Sequence, residues 1–534
     1  MKEKKKMSKR KNKSLNQESS ADGSWELSAI FELELLPTPK AAGGRPRWRL
    51  SPSGQLSSWR DERKRLGPEY LTRIRRHVEA FSSTEVTRSL VDSVFEADDE
   101  VLRVTNTQLW MHAMNEVTRG FFKVHGSDVI AVSNARFLVA LQRLLGEMNA
   151  RKPHVVPLYL SWHVLRTLAW TVAPDAQELQ LDSEPERQDR CFRTVHDLMP
   201  LAAGKPYADS ANWDVGTIEE LFEAAKGEYV NRIMRCPWMD EASRHSAQDK
   251  IRSVRGVFPA PGLVWNVSAL QHVYDCMPQD REAFFLPSVL EAKRCKHKLI
   301  LSTAATGGTS SDTITWTSPA VYLVRYLDAY NSAVVMGSVL RPPVFQATGA
   351  HREVFNYAGL TFLFARLLFG AIDQKGSLRD DTGSLRPWWS NFTQDAFATA
   401  VRCLEDLYQF DAWFIGDEIS DAVATAVSFA AYERHLEEFS ANNREGLWAW
   451  LVWTMSWPRL LTRRGQSEFT DDQAFFMNRC FCFCSRKLSS LYSAGWTSPE
   501  EKCNLPLRNS PDFWRAFGCR RGDAMRAEKS CQLI

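Results

Sequence analysis

From about Trp59 to Ile300, apolar residues recur every three or four positions. That spacing lines one face of an α-helix and predicts helices over Val101 to Phe122, Asp128 to Met148, Leu158 to Val172 and Ile218 to Cys236. The pattern breaks between Ile300 and Tyr330. There Gly307-Gly308-Thr309-Ser310-Ser311 reads as a turn, and Thr313-Ile314-Thr315-Trp316-Thr317 leans towards strand. Arg341-Pro342-Pro343 ends that stretch, and helical spacing resumes over Asn356 to Ile372, Ala396 to Phe410, Asp417 to Glu438 and Phe475 to Tyr492. No repeat of fixed period is read. The pattern predicts a mainly α protein with a small β segment. It divides as a basic, disordered N-terminal segment over 1–58, a helical lobe over 59–300 and a second lobe over 301–534.

Length and composition agree with that division. At ~150 residues per domain, 534 residues make about three domain-sized units or two large lobes. With 44% hydrophobic and 25% charged residues the chain is ordinary globular material, which excludes a wholly disordered, collagenous or polytopic membrane protein. A net charge of +3 carries no signal for nucleic acid.

The charge is unevenly placed. Lys2, Lys4, Lys5, Lys6, Lys9, Arg10, Lys11 and Lys13 stand against Glu3 alone, so the remainder is faintly acidic and the basic end reads as a disordered, solvated tail. Polar residues Asn12 to Gln17 follow it where the apolar core of a signal peptide would lie. The longest apolar stretches, Leu360 to Ile372 and Leu447 to Trp457, fall short of the ~18 residues of a membrane span. Neither an export signal nor a transmembrane segment is expected from these residues.

Eleven cysteines are scattered, so at least one thiol is unpaired within the chain. Cys480-Phe481-Cys482-Phe483-Cys484 has no nearby His and no second cluster, and reads as packed or disulfide-bonded thiols rather than a metal site. Cys531-Gln532-Leu533-Ile534 fits the prenylation pattern.

Four stretches, in order, resemble the neprilysin and endothelin-converting-enzyme family of zinc metallopeptidases. The first is Arg190-Cys191, the Glu219 to Tyr229 helix, Trp238-Met239-Asp240-Glu241, Ala247 and Lys250. The second is Leu340-Arg341-Pro342-Pro343 with Phe345. The third is Asn356-Tyr357-Ala358-Gly359, Asp373, Gly376, Gly383, Leu385 and Trp388-Trp389. The last runs from Phe475-Phe476-Met477-Asn478 through Cys484, Ser498-Pro499, Phe513, Ala516-Phe517 and Cys519 to Met525 and Cys531. The resemblance implies a two-lobed, gluzincin-type fold around a central cavity, zinc-dependent hydrolysis of small peptides, and a place on the cell surface or in secretions.

The resemblance fails at the chemistry. The family's catalytic helix carries His-Glu-x-x-His, two zinc ligands on one helix face with a general base beside them. Counted from Asn356-Tyr357, those positions are Arg366, Leu367 and Gly370, and the eleven His include no pair four residues apart. The third ligand, a Glu, becomes Asp417, while Asp421 keeps the family's supporting carboxylate. The substrate-binding Asn-Ala pair reads Asp328-Ala329, the His that steadies the oxyanion reads Thr497, and the Arg that grips substrate lands near Cys503. The expected metal set is therefore none, with the family's zinc lost.

Arg366 lies in the apolar run Phe362 to Phe369, and a guanidinium there must be paired. It is expected to replace the dication as counter-charge to Asp417 and Asp421; the alternative is a side chain that snorkels to the cavity rim. The family also implies a Cys403–Cys531 disulfide, which accounts for the prenylation-like ending. It leaves Cys191, Cys484 and Cys519 matching half-cystines whose partners lie in a segment outside this sequence. Asn266-Val267-Ser268 and Asn391-Phe392-Thr393 become glycosylation acceptors if the chain is secreted. The leading expectation is a catalytically inactive homologue whose cavity binds small peptides. The alternatives are an active zinc endopeptidase and a truncated, non-functional product.

Overall fold

The spacing of apolar residues becomes helix along much of the chain in a computed structural model. It describes residues 31–36, 47–52, 63, 65–81, 87–100, 130–132, 154–171, 184–211, 213–279, 285–305, 317–349, 351–408, 415–442, 469–484, 498–531 and 533–534. The helices expected near 158, 218, 356, 396, 417 and 475 span Val155–Leu168, Val215–Ile233, Arg352–Ile372, Asn391–Tyr408, Ile415–Asn442 and Asp471–Phe481. The stretches Val101 to Phe122, Thr313 to Trp316 and Leu447 to Trp457 lie outside the described residues.

Two expectations are corrected. Within the segment read as a disordered tail, β1 (Phe31–Leu36) pairs antiparallel with β2 (Arg47–Pro52). Glu32 and Glu34 alternate with Leu33 and Leu35 there, the period-2 pattern of a strand. Within Asp128 to Met148, read as helix, Ile130–Val132 forms β3 parallel to β2. The triplet Ile-Ala-Val is short, and its pairing partner lies some eighty residues upstream, out of reach of a periodicity argument.

The chain divides into two compact units, 1–203 with 262–316 and 204–261 with 317–534. This differs from a division at 300/301: residues 204–261 belong with the second unit because the Val215–Ile233 and Glu241–Ser253 helices pack on Arg352–Ile372. The first unit gathers Tyr70, Ile74, Val91, Val94 and Trp162 into a small core, with the His77 and Trp162 rings 5.6 Å apart. A Cys276–Cys295 disulfide ties its Phe285–Ala305 helix to the turn before it.

The second unit is built round the Arg352–Ile372 helix. Phe362, Phe364, Leu368, Phe369 and Ile372 are buried, each contributing about 1.5–3 kcal/mol by leaving water. A three-stranded sheet lies beside it, in which β6 (Ser332–Val335) pairs parallel with β4 (Arg255–Val257) and antiparallel with β5 (Val324–Leu327).

Polar clamps fix the chain around the helix. The Asn356 carboxamide accepts from Gln346 N at 2.7 Å and donates to Gln346 O at 3.0 Å. Asn478 donates to both Pro343 O and Phe355 O at 3.1 Å. A Cβ at Gly359 would lie 2.4 Å from Val344 O, so only glycine lets the helix approach that segment. The helix relaxes into a π turn at Tyr357–Thr361, beside this close approach.

Candidate functional site

The Arg352–Ile372 helix presents the three positions singled out from the sequence. Arg366 is 28% exposed, and its Nε lies 2.7 Å from Oδ1 of Asp421, whose side chain is fully buried. The two meet as an ion pair rather than as an aligned hydrogen bond. Leu367 is buried. At Gly370 a Cβ would meet the Tyr326 ring at 3.4 Å, so that ring walls the space beside the helix. Asp417 stands one turn before Asp421 on Ile415–Asn442, and its side chain lies outside the described residues. The backbone behind Arg366 is held by Tyr229, whose Oη donates to Ala365 O at 2.6 Å.

Sequence reasoning missed a second cation. Arg479 has no exposed surface and sits 5.0 and 5.1 Å from the ring centroids of Phe362 and Phe483. Its Nη1 donates to Lys502 O at 2.8 Å and Cys503 O at 2.7 Å. The first of these carbonyls needs a donor, because four residues later Pro506 has no N–H to offer. Burial pushes the Arg479 guanidinium down to about 10; the Asp421 charge opposes that shift and the Arg366 charge adds to it. It therefore stays charged at neutral pH. Glu418 is buried one turn from Asp421, and the buried Tyr408 phenol, raised by burial, faces the charges of Arg479, Asp421 and Glu418. The signal that could have found Arg479 is the one that found Arg366, a charge inside the apolar run Phe475 to Phe483.

The remaining positions are scattered. Asp328 is 43% exposed and its Oδ2 lies 3.1 Å from Nε of Arg379, which also donates to Gly383 O at 2.7 Å. Ala329 is buried beneath Gly383, where φ is +79° and a Cβ would strike Ala329 O. Thr497 lies outside the described residues. Cys503 is bonded to Cys480, a pairing not foreseen, and both border an apolar cavity of about 590 Å³. Cys403 is bonded to Cys531, while Cys191, Cys484 and Cys519 carry free thiols among the described residues. Among those residues no group of three His, Cys, Asp or Glu could hold a metal ion. Among the described residues one helix, Arg352–Ile372, is long and apolar enough to cross a membrane, and here it is the core of the second unit.

Comparison with known proteins follows this geometry. Two models described as peptidase family M13 match residues 91–261 and 325–533. Neprilysin-1 of Trittame loki is 25% identical over 467 residues, 81% of this chain and 61% of that protein. Human neprilysin is 20% identical over 455 residues, 79% of this chain and 57% of that protein. The chain thus spans less than two thirds of the curated relatives it matches. Among solved structures, zinc metalloprotease ZMP1 of Mycobacterium tuberculosis in complex with an inhibitor superposes with a TM-score of 0.70 at 17% identity, covering 97% of this chain and 82% of that one. A Haemonchus galactose-containing glycoprotein complex gives a TM-score of 0.66 at 17% identity, over 99% and 85%. These likenesses show the fold.

Proposed function

The chain belongs to peptidase family M13, and on that premise we propose that it is a pseudopeptidase, an ectoprotein that binds small peptides in the family's cavity without cutting them. The observation that carries this reading is the Arg366–Asp421 ion pair of 2.7 Å at the place of the family's first zinc-binding His. A catalytic zinc needs about three protein ligands, and an open position where bound water falls to a pKa of ~7. Arg366 cannot ligate and repels a dication, Leu367 cannot act as a base, and Gly370 has no side chain. The donor set does not fit zinc. The frame around it remains: Asn356, Gly359, Lys250 and Asn478 make the contacts that shape the unit. Three disulfides among the described residues support an oxidising, extracellular setting.

The test is elemental analysis of dialysed protein, paired with hydrolysis and calorimetric binding of a peptide library. Near-zero zinc, no chelator-sensitive cleavage and saturable peptide binding are expected. One zinc per chain with chelator-sensitive cleavage would return the chain to the active zinc endopeptidases.

A further inference from the structure

We infer that Arg366 and Arg479 together take over the structural work of a dication, neutralising the buried Asp421 carboxylate and tying three segments of the second unit to one another. This rests on the pseudopeptidase reading, which supplies a locus closed to zinc, and adds to it a second cation that no resemblance points to.

A buried carboxylate needs compensating charge, because the interior cannot screen it. Asp421 is fully buried and contributes nothing to catalysis in a site without metal or base. Something must hold it ionised or it would be an expense without return. Two guanidinium groups act on it from different segments. Arg366 reaches it from the Arg352–Ile372 helix at 2.7 Å. Arg479 acts from Asp471–Phe481: its guanidinium lies 5.0 Å over the Phe362 ring, one turn before Arg366 on the same helix, and the Asp421 charge opposes the lowering of its pKa by burial.

Arg479 is also fixed at its far side. Nη1 bridges Lys502 O and Cys503 O on Pro499–Arg508, and the Cys480–Cys503 disulfide closes the same pair of helices one residue away. Its Nε and Nη2 have no hydrogen-bond partner among the described residues. Their charge is therefore balanced through space, by Asp421 and by the rings of Phe362 and Phe483. Glu418 is also buried on the Ile415–Asn442 helix, one turn from Asp421. A dication entering this locus would add its charge to those of Arg366 and Arg479 in a site where burial already disfavours the charged guanidinium.

The test is a double-mutant cycle read by thermal unfolding. Asp421→Asn leaves Arg479 buried without its counter-charge and is expected to lower the midpoint by about 6–15 °C. Adding Arg479→Gln removes the stranded charge and keeps a donor for the Lys502 carbonyl, so D421N/R479Q is expected to melt several degrees above D421N alone. Losses that simply add would overturn the inference. A second pair of variants covers a D421N protein that fails to fold. Arg479→Lys keeps the charge and Arg479→Gln keeps only donors to the two carbonyls. A midpoint for R479K well above that of R479Q supports a charge role, and equal midpoints overturn it. Zinc content of the unmodified protein is scored separately. Metal in the wild type defeats the pseudopeptidase reading, whereas additive losses in a zinc-free protein defeat only this inference.

Discussion

Two buried cationic clusters flank the same helix, and they are built on different principles. At the helix's C-terminal end, Lys250 Nζ donates to Gly376 O at 2.6 Å and Arg379 O at 2.7 Å, and Trp388 Nε1 reaches the same carbonyls. Asp373 caps the turn by accepting from Lys375 N and Gly376 N. Asn331, at φ +45°, donates to Lys250 O, Ser253 Oγ and Asp381 O. Every partner there is main chain or a residue that follows the main chain's path. Around Arg366 the leading partner is a side-chain charge, Asp421, and Arg479 adds its own charge while it holds two main-chain carbonyls and two aromatic rings. Backbone groups must be satisfied wherever the chain runs, so the first cluster belongs to the fold itself. A charge cluster asks only for balance, so its members can be exchanged together. That is how a family frame outlasts the residues of its chemistry.

Removing a cation should therefore have opposite second acts in the two clusters. Lys250→Met takes a donor from two buried carbonyls, leaving Gly376 O with Trp388 Nε1 and Arg379 N and leaving Arg379 O with Trp388 Nε1, at a cost of about 2–3 kcal/mol or roughly 5–10 °C in the unfolding midpoint. A further Asp373→Ala is expected to deepen that loss, since Oδ1 accepts two backbone N–H groups that alanine cannot satisfy. In the Arg366–Asp421–Arg479 cluster the second removal restores stability instead. Thermal melts of K250M and K250M/D373A, set beside the Asp421 cycle, sharpen the contrast. Recovery in the Lys250 double variant would break it.

The frame was legible in the sequence to the degree that its residues are punctuation. Asn356, Gly359, Asp373, Gly376 and Gly383 recur as a resemblance because close approaches and orphan N–H groups leave no other residue type. Arg366 was legible as a charge in an apolar run, and its pairing with Asp421 followed from helix spacing plus the family frame. Arg479 was not, although it carries the same signature, because its meaning depends on a proline twenty-seven residues later and on carbonyls brought over by tertiary folding. The Cys480–Cys503 bond was hidden for the same reason. So was the transfer of residues 204–261 to the second unit, since periodicity describes a helix face and not the helix it meets.

Proton linkage gives a milder probe of the first cluster. Burial pushes the Lys250 ammonium from its usual 10.5 down to about 8, with Asp373, Asp328 and Asp380 opposing the shift. Between those values the unfolded chain holds a proton that the folded chain has lost, so stability from this group rises with pH from about 8 to 10.5. Against K250M as baseline, wild-type unfolding free energy is expected to gain about 1 kcal/mol per pH unit from 8 to 10. A flat difference across that range would mean that Lys250 stays charged and works as an ammonium bound by carbonyls.

The smallest expected effect is at Asp328, where the two principles meet. Its carboxylate faces Arg379 at 3.1 Å, yet it is 43% exposed, so solvent screens the pair. Arg379 is fixed independently by Gly383 O. Asp328→Asn, which installs the residue the family uses to hold peptide, is expected to cost under ~1 kcal/mol and leave the fold intact. Its consequence lies in binding. An amide can donate to a peptide carbonyl where a carboxylate can only accept, so D328N is expected to shift affinity toward peptides offering carbonyl oxygens, measurable by calorimetry as a several-fold change in Kd. Unchanged affinity with unchanged stability would place Asp328 outside the peptide path. Its ion pair with Arg379 would then belong to the scaffold, like the Lys250 cluster beside it.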